Sequence, residues 1–289
     1  MKSIDKFIFN LNQPSYRLYN KARRKIRRFY ESDLQKHYRE RREAEYLLIS
    51  PTNCGRTWLR IMLGRILQNA YGIEDVNLHY LYSFSELNPN LPAIKAIHEK
   101  FGQFGTYKSQ KIIFLVRDPR DALVSRYHQH RNLYPDYEKY DNVDDFMRNS
   151  TELSTYIEDY NTWIRHRHQA MDFMLVRYED LKAKTFSEIE RILSFLNLKI
   201  EASDIKDAIE YSSFKNMRSI EIKGSSEVRA GVLQQPVYDG SKTQINENSL
   251  KVRKGKVGGY REELSSETVN QIDTLVQQTL DFSYGYMPI

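Results

Sequence analysis

Glycines, cations and hydroxyl groups are concentrated in three separate segments of the 289-residue chain. The first, residues 50–59, joins an apolar run at 46–50, which predicts a buried strand, to a segment with helical spacing at 57–71. A strand that turns through glycine into a helix directs backbone N–H groups into open space, where the helix dipole helps them to bind a phosphate. The segment lacks the Gly-Lys-Ser/Thr of a Walker A loop, and a plain strand–helix turn is the alternative interpretation.

The second segment, residues 116–125, contains an arginine at the end of the clearest apolar strand of the chain. Arg117 ends this strand, at the sheet edge where ligands of open α/β sheets bind. Ser125 follows eight residues later, about two turns into the next predicted helix. A guanidinium and a hydroxyl so placed can bind one phosphate together. The alternative is a local salt bridge between Arg117 and Asp121.

The third segment, residues 252–260, interleaves cations with three glycines after a long stretch of little periodicity. Such a flexible basic stretch can fold over an anion, and a solvated turn is the alternative. The preceding residues 220–250 are rich in Gly, Ser, Gln and Asn, which predicts a long surface loop.

Apolar strands alternate with helical segments through the rest of the chain. The predicted strands are 46–50, 93–98, 111–116 and 173–176, and the main helices are 57–71, 120–131, 154–169, 185–197, 202–211 and 266–281. This alternation predicts an α/β fold, with a central parallel sheet covered by helices on both faces.

The charge of the chain is concentrated at its N-terminus. The net charge is +6, but residues 1–43 hold 13 Lys/Arg against 5 Asp/Glu, a net +8, which leaves −2 for the rest. This distribution argues against nucleic-acid binding by the core. Residues 1–44 are interpreted as a basic extension before a domain at 45–289. A solvated helix on the domain edge is favoured, and contact with an anionic membrane surface or an acidic partner is the alternative.

The cysteine content and hydropathy of the chain predict a soluble, cytoplasmic protein. Cys54 is the single cysteine, so no intrachain disulfide can form. We find no signal-peptide core and no run of about 18 apolar residues. We find no His/Cys cluster with the spacing of metal ligands, and therefore predict no metal.

Taken together, the segments resemble the motifs of the sulfotransferases that use 3'-phosphoadenosine 5'-phosphosulfate (PAPS). The resemblance covers roughly residues 45–282 and implies a P-loop NTPase-like architecture. Five motifs match in the family's order. They are 50–59 for the 5'-phosphosulfate loop, 116–125 for the 3'-phosphate motif, 176–181 for Tyr-Glu-Asp-Leu, 212–217 for Ser-Phe-x-x-Met, and 252–260 for Arg-Lys-Gly-x-x-Gly.

This resemblance implies roles for particular residues of this chain. The 5'-phosphosulfate is assigned to Cys54, Gly55, Arg56, Thr57 and Trp58, and the 3'-phosphate to Arg117, Ser125, Arg253, Lys254 and Gly255. The nucleoside pocket is assigned to Tyr178, Ser212 and Phe214. The reaction implied is transfer of a sulfuryl group from PAPS to a hydroxyl or amine of a small acceptor, with adenosine 3',5'-bisphosphate (PAP) as the product.

His98 is the candidate general base, because it follows a short strand as the catalytic histidine of the family does. A histidine titrates near neutral pH and can take the acceptor proton during attack. Glu99 is the nearest substitute.

Asn53 occupies the position where the family carries a lysine or arginine that stabilises the leaving group. Loss of one such donor costs roughly 10²–10³ in rate. Compensation by Arg56, Lys254 or Lys95 is the favoured explanation, and a slow or inactive protein is the alternative.

Cys54 stands where the family often has serine. It is interpreted as a small residue that fits the loop, and a reactive thiol at a helix N-terminus is the alternative.

Two rival functions remain open from the sequence. One is a P-loop kinase of small molecules, although the loop lacks its lysine and Mg²⁺-binding hydroxyl. The other is a catalytically impaired, nucleotide-binding relative of the sulfotransferases.

The acceptor pocket is predicted from residues 78–90, with His79, Tyr80, Tyr82 and Phe84, and from the loop 220–250. Metabolites, sugars and lipid head groups fit this composition equally well.

Overall fold

The computed structural model describes residues 31–74, 76–131, 134–223 and 250–286, together with Tyr16, Tyr19 and Ala22. Most of the predicted basic extension and most of the predicted loop at 220–250 therefore lie outside the described residues.

A four-stranded parallel sheet forms the centre of the molecule. Its strands are β1 (Tyr46–Ile49), β2 (Ile94–Ile97), β3 (Lys111–Val116) and β4 (Asp172–Arg177), in the spatial order β2-β1-β3-β4. The sequence prediction of four parallel strands is confirmed, with boundaries that differ by at most one residue at each end.

Helices cover both faces of the sheet, as predicted from its continuous apolar strands. Successive residues of β1 pack into different cores, because side chains alternate across a strand. Leu47 and Ile49 belong to one buried cluster, and Tyr46 and Leu48 belong to the other. The helices are α1 (Asp33–Glu43), α2 (Arg56–Tyr71), α3 (Tyr82–Leu87), α4 (Pro119–His130), α5 (Val143–Asn149), α6 (Glu152–His166), α7 (Tyr178–Ala183), α8 (Thr185–Phe195), α9 (Ala202–Tyr211), α10 (Phe214–Lys223), α11 (Tyr260–Glu263) and α12 (Ser266–Thr279).

One prediction about the loop at 220–250 is wrong at its start. Residues 220–223 continue helix α10. The carboxylate of Glu221 is buried and accepts hydrogen bonds from the amides of Lys251 (2.7 Å) and Val252 (2.9 Å). This pairing ties the end of α10 to the start of the third glycine segment, which the polar composition of the stretch did not reveal.

Helix α1 contacts the sheet domain through two buried ion pairs, although the sequence places it in the extension. Lys95 of β2 donates to Glu40 at 2.7 Å, and Arg41 donates to Glu99 at 2.7 Å. A capping box at Ser32 begins the helix and satisfies its first amides. The boundary at residue 44 stays a prediction, but α1 packs as an integral helix.

No helix in the described ranges is both long and apolar enough to cross a membrane. Within the same ranges, no group of three or more His, Cys, Asp or Glu side chains is arranged to hold a metal ion.

We expect Glu40→Ala to lower the free energy of unfolding by about 3–5 kcal/mol, because it leaves Lys95 buried without its partner. Lys36→Ala is the control, since this lysine is 41% exposed and 3.7 Å from the same carboxylate. Its expected cost is below about 1 kcal/mol. Urea unfolding of both variants measures the difference, and equal costs would show that α1 is not part of the cooperative unit.

Candidate functional site

A cavity of about 700 Å³ lies at the carboxyl edge of the sheet. The residues that directly follow β1, β2, β3 and β4 are Ser50, His98, Arg117 and Tyr178, and parallel strands bring such positions to one edge. Fourteen of the fifteen predicted site residues line this cavity. They are Asn53, Gly55, Arg56, Thr57, Trp58, His98, Arg117, Ser125, Tyr178, Ser212, Phe214, Arg253, Lys254 and Gly255.

Gly55 caps the N-terminus of α2 in a left-handed conformation, with φ at 88°. A Cβ atom at this position would lie 2.6 Å from Cδ2 of Tyr178, so a side chain would displace the ring. The loop also holds Asn53 at φ 59°, which is uncommon outside glycine but tolerated by asparagine. The loop is thus pressed against the Tyr178 ring, and the first turn of α2 begins at the cavity.

Cys54 is the predicted site residue that does not line the cavity. Its thiol is buried beneath the loop, with Sγ 3.3 Å from the hydroxyl of Tyr160. Burial raises the pKa of this thiol to about 12, so it stays protonated at neutral pH. These observations favour the interpretation of Cys54 as a small residue that fills the space under the loop.

Arg117 is held in the cavity wall mainly by backbone oxygens and an aromatic ring. Its guanidinium donates to the carbonyl oxygens of Asn53 (3.3 Å) and Lys256 (3.0 Å), and lies 4.7 Å from the centroid of the Tyr178 ring. The Asp121 carboxylate is 4.0 Å away, at the limit of an ion pair. That carboxylate accepts hydrogen bonds from the amides at 258 (2.7 Å) and 260 (2.9 Å), so it fixes the third glycine segment.

Three aromatic side chains form one wall of the cavity. Trp58 donates through Nε1 to the carbonyl oxygen of Ser212 at 2.9 Å, and its ring centroid lies 5.8 Å from that of Tyr178. Phe214 is partly exposed. Gly255, at φ 58°, passes close to Phe214, since a Cβ atom there would lie 3.2 Å from its ring. These flat surfaces suit a planar heterocycle.

Glu263 forms ion pairs with the cations of the third segment. It forms a bidentate pair with Arg253 (2.7 and 2.8 Å), and the ammonium of Lys254 (3.2 Å) and Nε2 of His128 (2.8 Å) lie within ion-pair distance of it. Although burial acts to raise it, the contacts with His128 and Arg253 hold the pKa of Glu263 well below its usual range. The carboxylate therefore stays ionised and holds Arg253 and Lys254 at the cavity rim.

Arg56 and Arg60 lie one turn apart at the start of α2, and neither has a carboxylate partner among the described residues. Burial and, to a smaller extent, the nearby charge of Arg60 lower the pKa of Arg56 to about 9. One guanidinium nitrogen of Arg56, Nη1, is buried without a hydrogen-bond partner. Arg60 makes one hydrogen bond within the described structure, from Nε to the carbonyl oxygen of His79 at 2.6 Å.

His98 faces the cavity, and its Nδ1 lies 2.6 Å from the carbonyl oxygen of Ser50. A carbonyl can only accept, so Nδ1 carries the proton and Nε2 is left as a base. Desolvation in the cavity, together with the positive charge of Arg56, lowers the pKa of His98 to about 4. The imidazole is therefore neutral at physiological pH.

Glu99 was the substitute for the base and Lys95 a substitute for the loop cation, but both make contacts outside the cavity. Glu99 is buried and bound to Arg41 and Tyr107, and Lys95 is buried and bound to Glu40. Neither lines the cavity.

The amide of Asn53 is also engaged, since its Nδ2 donates to Oε1 of Gln129 at 2.7 Å. The side chain at the position of the family's loop cation thus points to a neutral partner on α4. Any positive charge at this end of the loop comes from other residues.

The predicted acceptor region at 78–90 contributes less than expected. His79 lines the cavity, but Tyr80 and Tyr82 bond to Glu40 and Glu43 of α1, and Phe84 is fully buried. The sequence prediction missed that α1 packs here and occupies these hydroxyls. Residues 224–249 of the other predicted acceptor region lie outside the described residues.

Several cavity residues were not found from the sequence. Arg60, Gln129 and Lys182 each lie one helical turn beyond a predicted site residue, which is a signal that i, i+4 spacing could have given. His130 and Lys251 carried no such signal, because tertiary packing alone brings them to the cavity.

Known proteins are similar to this chain over most of its length. The sequence profile described as "Sulfotransferase domain" matches residues 43–283. "Cytosolic sulfotransferase 12" of Arabidopsis thaliana is 23% identical over 270 residues, which cover 83% of this chain and 78% of the relative. "Sulfotransferase 6B1" of Danio rerio is 24% identical over 254 residues, covering 83% and 79%.

Solved structures show the same fold. Mouse sulfotransferase SULT7A1, complexed with PAP, superposes with a TM-score of 0.58 at 20% identity, covering 82% of this chain and 84% of the other. A retinol dehydratase in complex with androsterone and the inactive cofactor PAP gives a TM-score of 0.60 at 19% identity, covering 81% and 80%.

Proposed function

Because this chain belongs to the sulfotransferase family, we propose that it transfers a sulfuryl group from PAPS to a hydroxyl or amine of a small acceptor and releases PAP. One observation carries this proposal. Gly55, Arg117 and Arg253, from three segments far apart in sequence, line a single cavity at the carboxyl edge of the sheet. The structural relatives described above include complexes with PAP.

The cavity has the chemistry that a doubly phosphorylated adenosine requires. Gly55 and Gly255 both line the cavity, and a side chain at either position would crowd the ring of Tyr178 or Phe214. We assign the 5'-phosphosulfate to the amides at the start of α2 with Arg56 and Thr57. The 3'-phosphate is assigned to Arg117, Ser125, Arg253 and Lys254, and the adenine to Trp58, Tyr178 and Phe214.

In this proposal PAPS supplies the sulfuryl group, and the chain orients the reactants and holds charge. His98 takes the proton of the acceptor at Nε2 while its Nδ1–H stays bonded to the carbonyl of Ser50. That hydrogen bond fixes both the tautomer and the direction of the ring. Most of the rate enhancement comes from positioning and from cations directed at spread negative charge.

We propose that Arg56 replaces the loop cation that Asn53 lacks. Its guanidinium lines the cavity with one nitrogen unpartnered, whereas Lys254 is held by Glu263 at 3.2 Å. The structure offers no support for Lys95, which is buried against Glu40.

The rival functions have less support. A kinase needs a loop lysine followed by a Mg²⁺-binding hydroxyl, and Asn53 bonds instead to Gln129. Only Asn53 supports a catalytically impaired protein, and in this proposal Arg56 supplies the charge that Asn53 lacks.

A cytoplasmic location is also proposed, since Cys54 is the sole cysteine and one of the relatives is described as cytosolic.

Replacement of the base tests the mechanism. We expect His98→Asn to lower turnover of PAPS by about 10²–10⁴-fold, because asparagine can donate to the Ser50 carbonyl but cannot accept the acceptor proton. PAP affinity, measured by calorimetry, should stay within about twofold of wild type. The pKa of His98 is lowered to about 4, so the base form persists as the pH falls.

The wild-type kcat/KM should therefore not fall between about pH 7.5 and pH 5.5, since it reports the free enzyme. Full turnover by His98→Asn, or an acid limb centred on the ordinary histidine pKa, would contradict the assignment.

Two charge removals identify the cation that acts on the leaving group. Arg56→Gln should lower kcat by about 10²–10³-fold, and Arg56→Lys should recover part of the loss. Lys254→Gln should mainly weaken PAPS binding, raising KM with a smaller change in kcat, since Glu263 holds this amine at the rim. Steady-state kinetics with varied PAPS separates the two effects. If Lys254→Gln loses kcat and Arg56→Gln does not, Lys254 is the replacement.

A further inference from the structure

Helix α6 carries three polar side chains along one face. Glu152, Tyr156 and Tyr160 are spaced four residues apart, so they lie on the same side of the helix in successive turns. Both tyrosines are buried, neither lines the cavity, and neither lies in any of the five sequence motifs. Their hydroxyl groups nevertheless bond to two segments that do line the cavity.

Tyr160 satisfies the backbone of Arg117 at the point where the sheet ends. The register between β3 and β4 ends at Val116, so the sheet offers no pairing position to Arg117. The hydroxyl of Tyr160 accepts from the amide of Arg117 at 3.2 Å and donates to its carbonyl oxygen at 2.8 Å. Burial raises the pKa of Tyr160 well above its ordinary value, so the hydroxyl keeps the proton that it donates. Phenylalanine at this position would remove both bonds from a buried backbone.

Tyr156 holds the start of the loop after β1. Its hydroxyl donates to the carbonyl oxygen of Thr52 at 3.0 Å and also contacts Oγ1 of the same residue. That Oγ1 accepts a second hydrogen bond, from Arg126 of α4, at 2.7 Å. Thr52 lines the cavity and directly precedes Asn53. The loop is therefore held by one side chain from α6 and one from α4.

Glu152 fixes the direction of Arg126. The two side chains form an ion pair at 2.9 Å, and the hydroxyl of Tyr137 donates to Glu152 at 2.9 Å. Arg126 also donates to the Tyr137 hydroxyl at 2.7 Å. These contacts leave one terminal nitrogen of Arg126 directed at Thr52, which is the geometry of a connected polar network.

The two tyrosines contact segments that are assigned to different ends of the nucleotide. Tyr160 bonds to Arg117, which is assigned to the 3'-phosphate. Tyr156 bonds to Thr52, at the start of the loop that is assigned to the 5'-phosphosulfate. Tyr160 also lies 3.3 Å from Sγ of Cys54, but a thiol is a weak hydrogen-bonding group, so the bonds to Arg117 are its stronger connection.

We propose that Tyr160 and Tyr156 are positioning residues of the donor site. Tyr160 holds Arg117 in place for the 3'-phosphate, and Tyr156 holds the loop in place for the 5'-phosphosulfate. The inference rests on the function proposed above and adds to it two residues outside the cavity. Because both hydroxyls bond to backbone atoms, loss of either displaces a segment without changing the charge of the cavity.

Removal of each hydroxyl separates the two roles. In Tyr160→Phe we expect the affinity for PAP to fall by about threefold or more while that for adenosine 5'-monophosphate (AMP) changes less than about twofold, since AMP has no 3'-phosphate. In Tyr156→Phe both affinities should fall together, and kcat with PAPS should fall by about tenfold or more because the reacting end is misplaced. Calorimetric titration and steady-state kinetics measure these effects.

Tyr107→Phe is the matched control. Tyr107 is also fully buried, and its hydroxyl accepts from the amide of Gly102 at 2.9 Å and donates to Glu99 at 2.5 Å. Its loss should lower the melting temperature, as the loss of the Tyr160 hydroxyl does, but leave the ratio of PAP to AMP affinity unchanged. Both nucleotides are titrated into the same preparation, so a loss of folded protein cancels in this ratio.

Thr52 provides a second test of the loop contact. Thr52→Val removes the hydroxyl that Arg126 and Tyr156 share, so it should reproduce the loss of kcat seen in Tyr156→Phe. Thr52→Ser keeps that hydroxyl and should recover most of the loss. Thermal melting without ligand checks that each variant folds.

Three results would overturn the proposal. They are an unchanged ratio of PAP to AMP affinity in Tyr160→Phe, a change of the same size in Tyr107→Phe, and full kcat in Tyr156→Phe. A Tyr160→Phe protein that does not fold would show that this hydroxyl is structural and would overturn its positioning role, while the Thr52 and Tyr156 variants still decide the other. Failure of wild-type protein to bind PAP is a different result, and it would refute the proposed function itself.

Discussion

The ring of Tyr178 is the contact on which the arrangement of the cavity depends. Gly55 packs against its edge so closely that no Cβ fits between them, and the guanidinium of Arg117 lies 4.7 Å from its centroid. Its hydroxyl lies 3.4 Å from the carbonyl oxygen of Gly255. One side chain at the end of β4 therefore joins the loop after β1, the end of β3 and the third glycine segment. Glycine suits both positions that approach the ring, because it has no Cβ and adopts the left-handed conformation without strain.

Carboxylates are distributed unevenly between the two ends of the cavity. At the end where the 3'-phosphate is assigned, Asp121 accepts hydrogen bonds from the third glycine segment and Glu263 pairs with Arg253. At the opposite end Arg56 and Arg60 lack such partners in the described structure, and burial lowers the pKa of Arg56 to about 9. Such a distribution of charge favours the binding of an anionic ligand.

Local patterns predicted the sheet, because continuous apolar runs identify buried parallel strands, and the residues after such strands must meet at one edge. Arg117 was found this way. His98 and most of the other predicted site residues were assigned through the resemblance to the sulfotransferase motifs. Other features depend on contacts between distant segments. The pairing of Tyr80 with Glu40, the burial of Glu221 beneath residues 251 and 252, and the presence of Lys251 in the cavity all arise from packing. No periodicity or motif carries that information.

The proposed function requires this edge of the sheet to bind a nucleoside with phosphates on both the 3' and 5' positions. The most direct measurement is calorimetric titration of the whole protein with PAP and, separately, with adenosine 5'-monophosphate. We expect one PAP site per chain and an affinity for the monophosphate that is weaker by about tenfold or more, since Arg117 and the Arg253 segment then lack their ligand. No measurable PAP binding, or equal affinity for the two nucleotides, would contradict it.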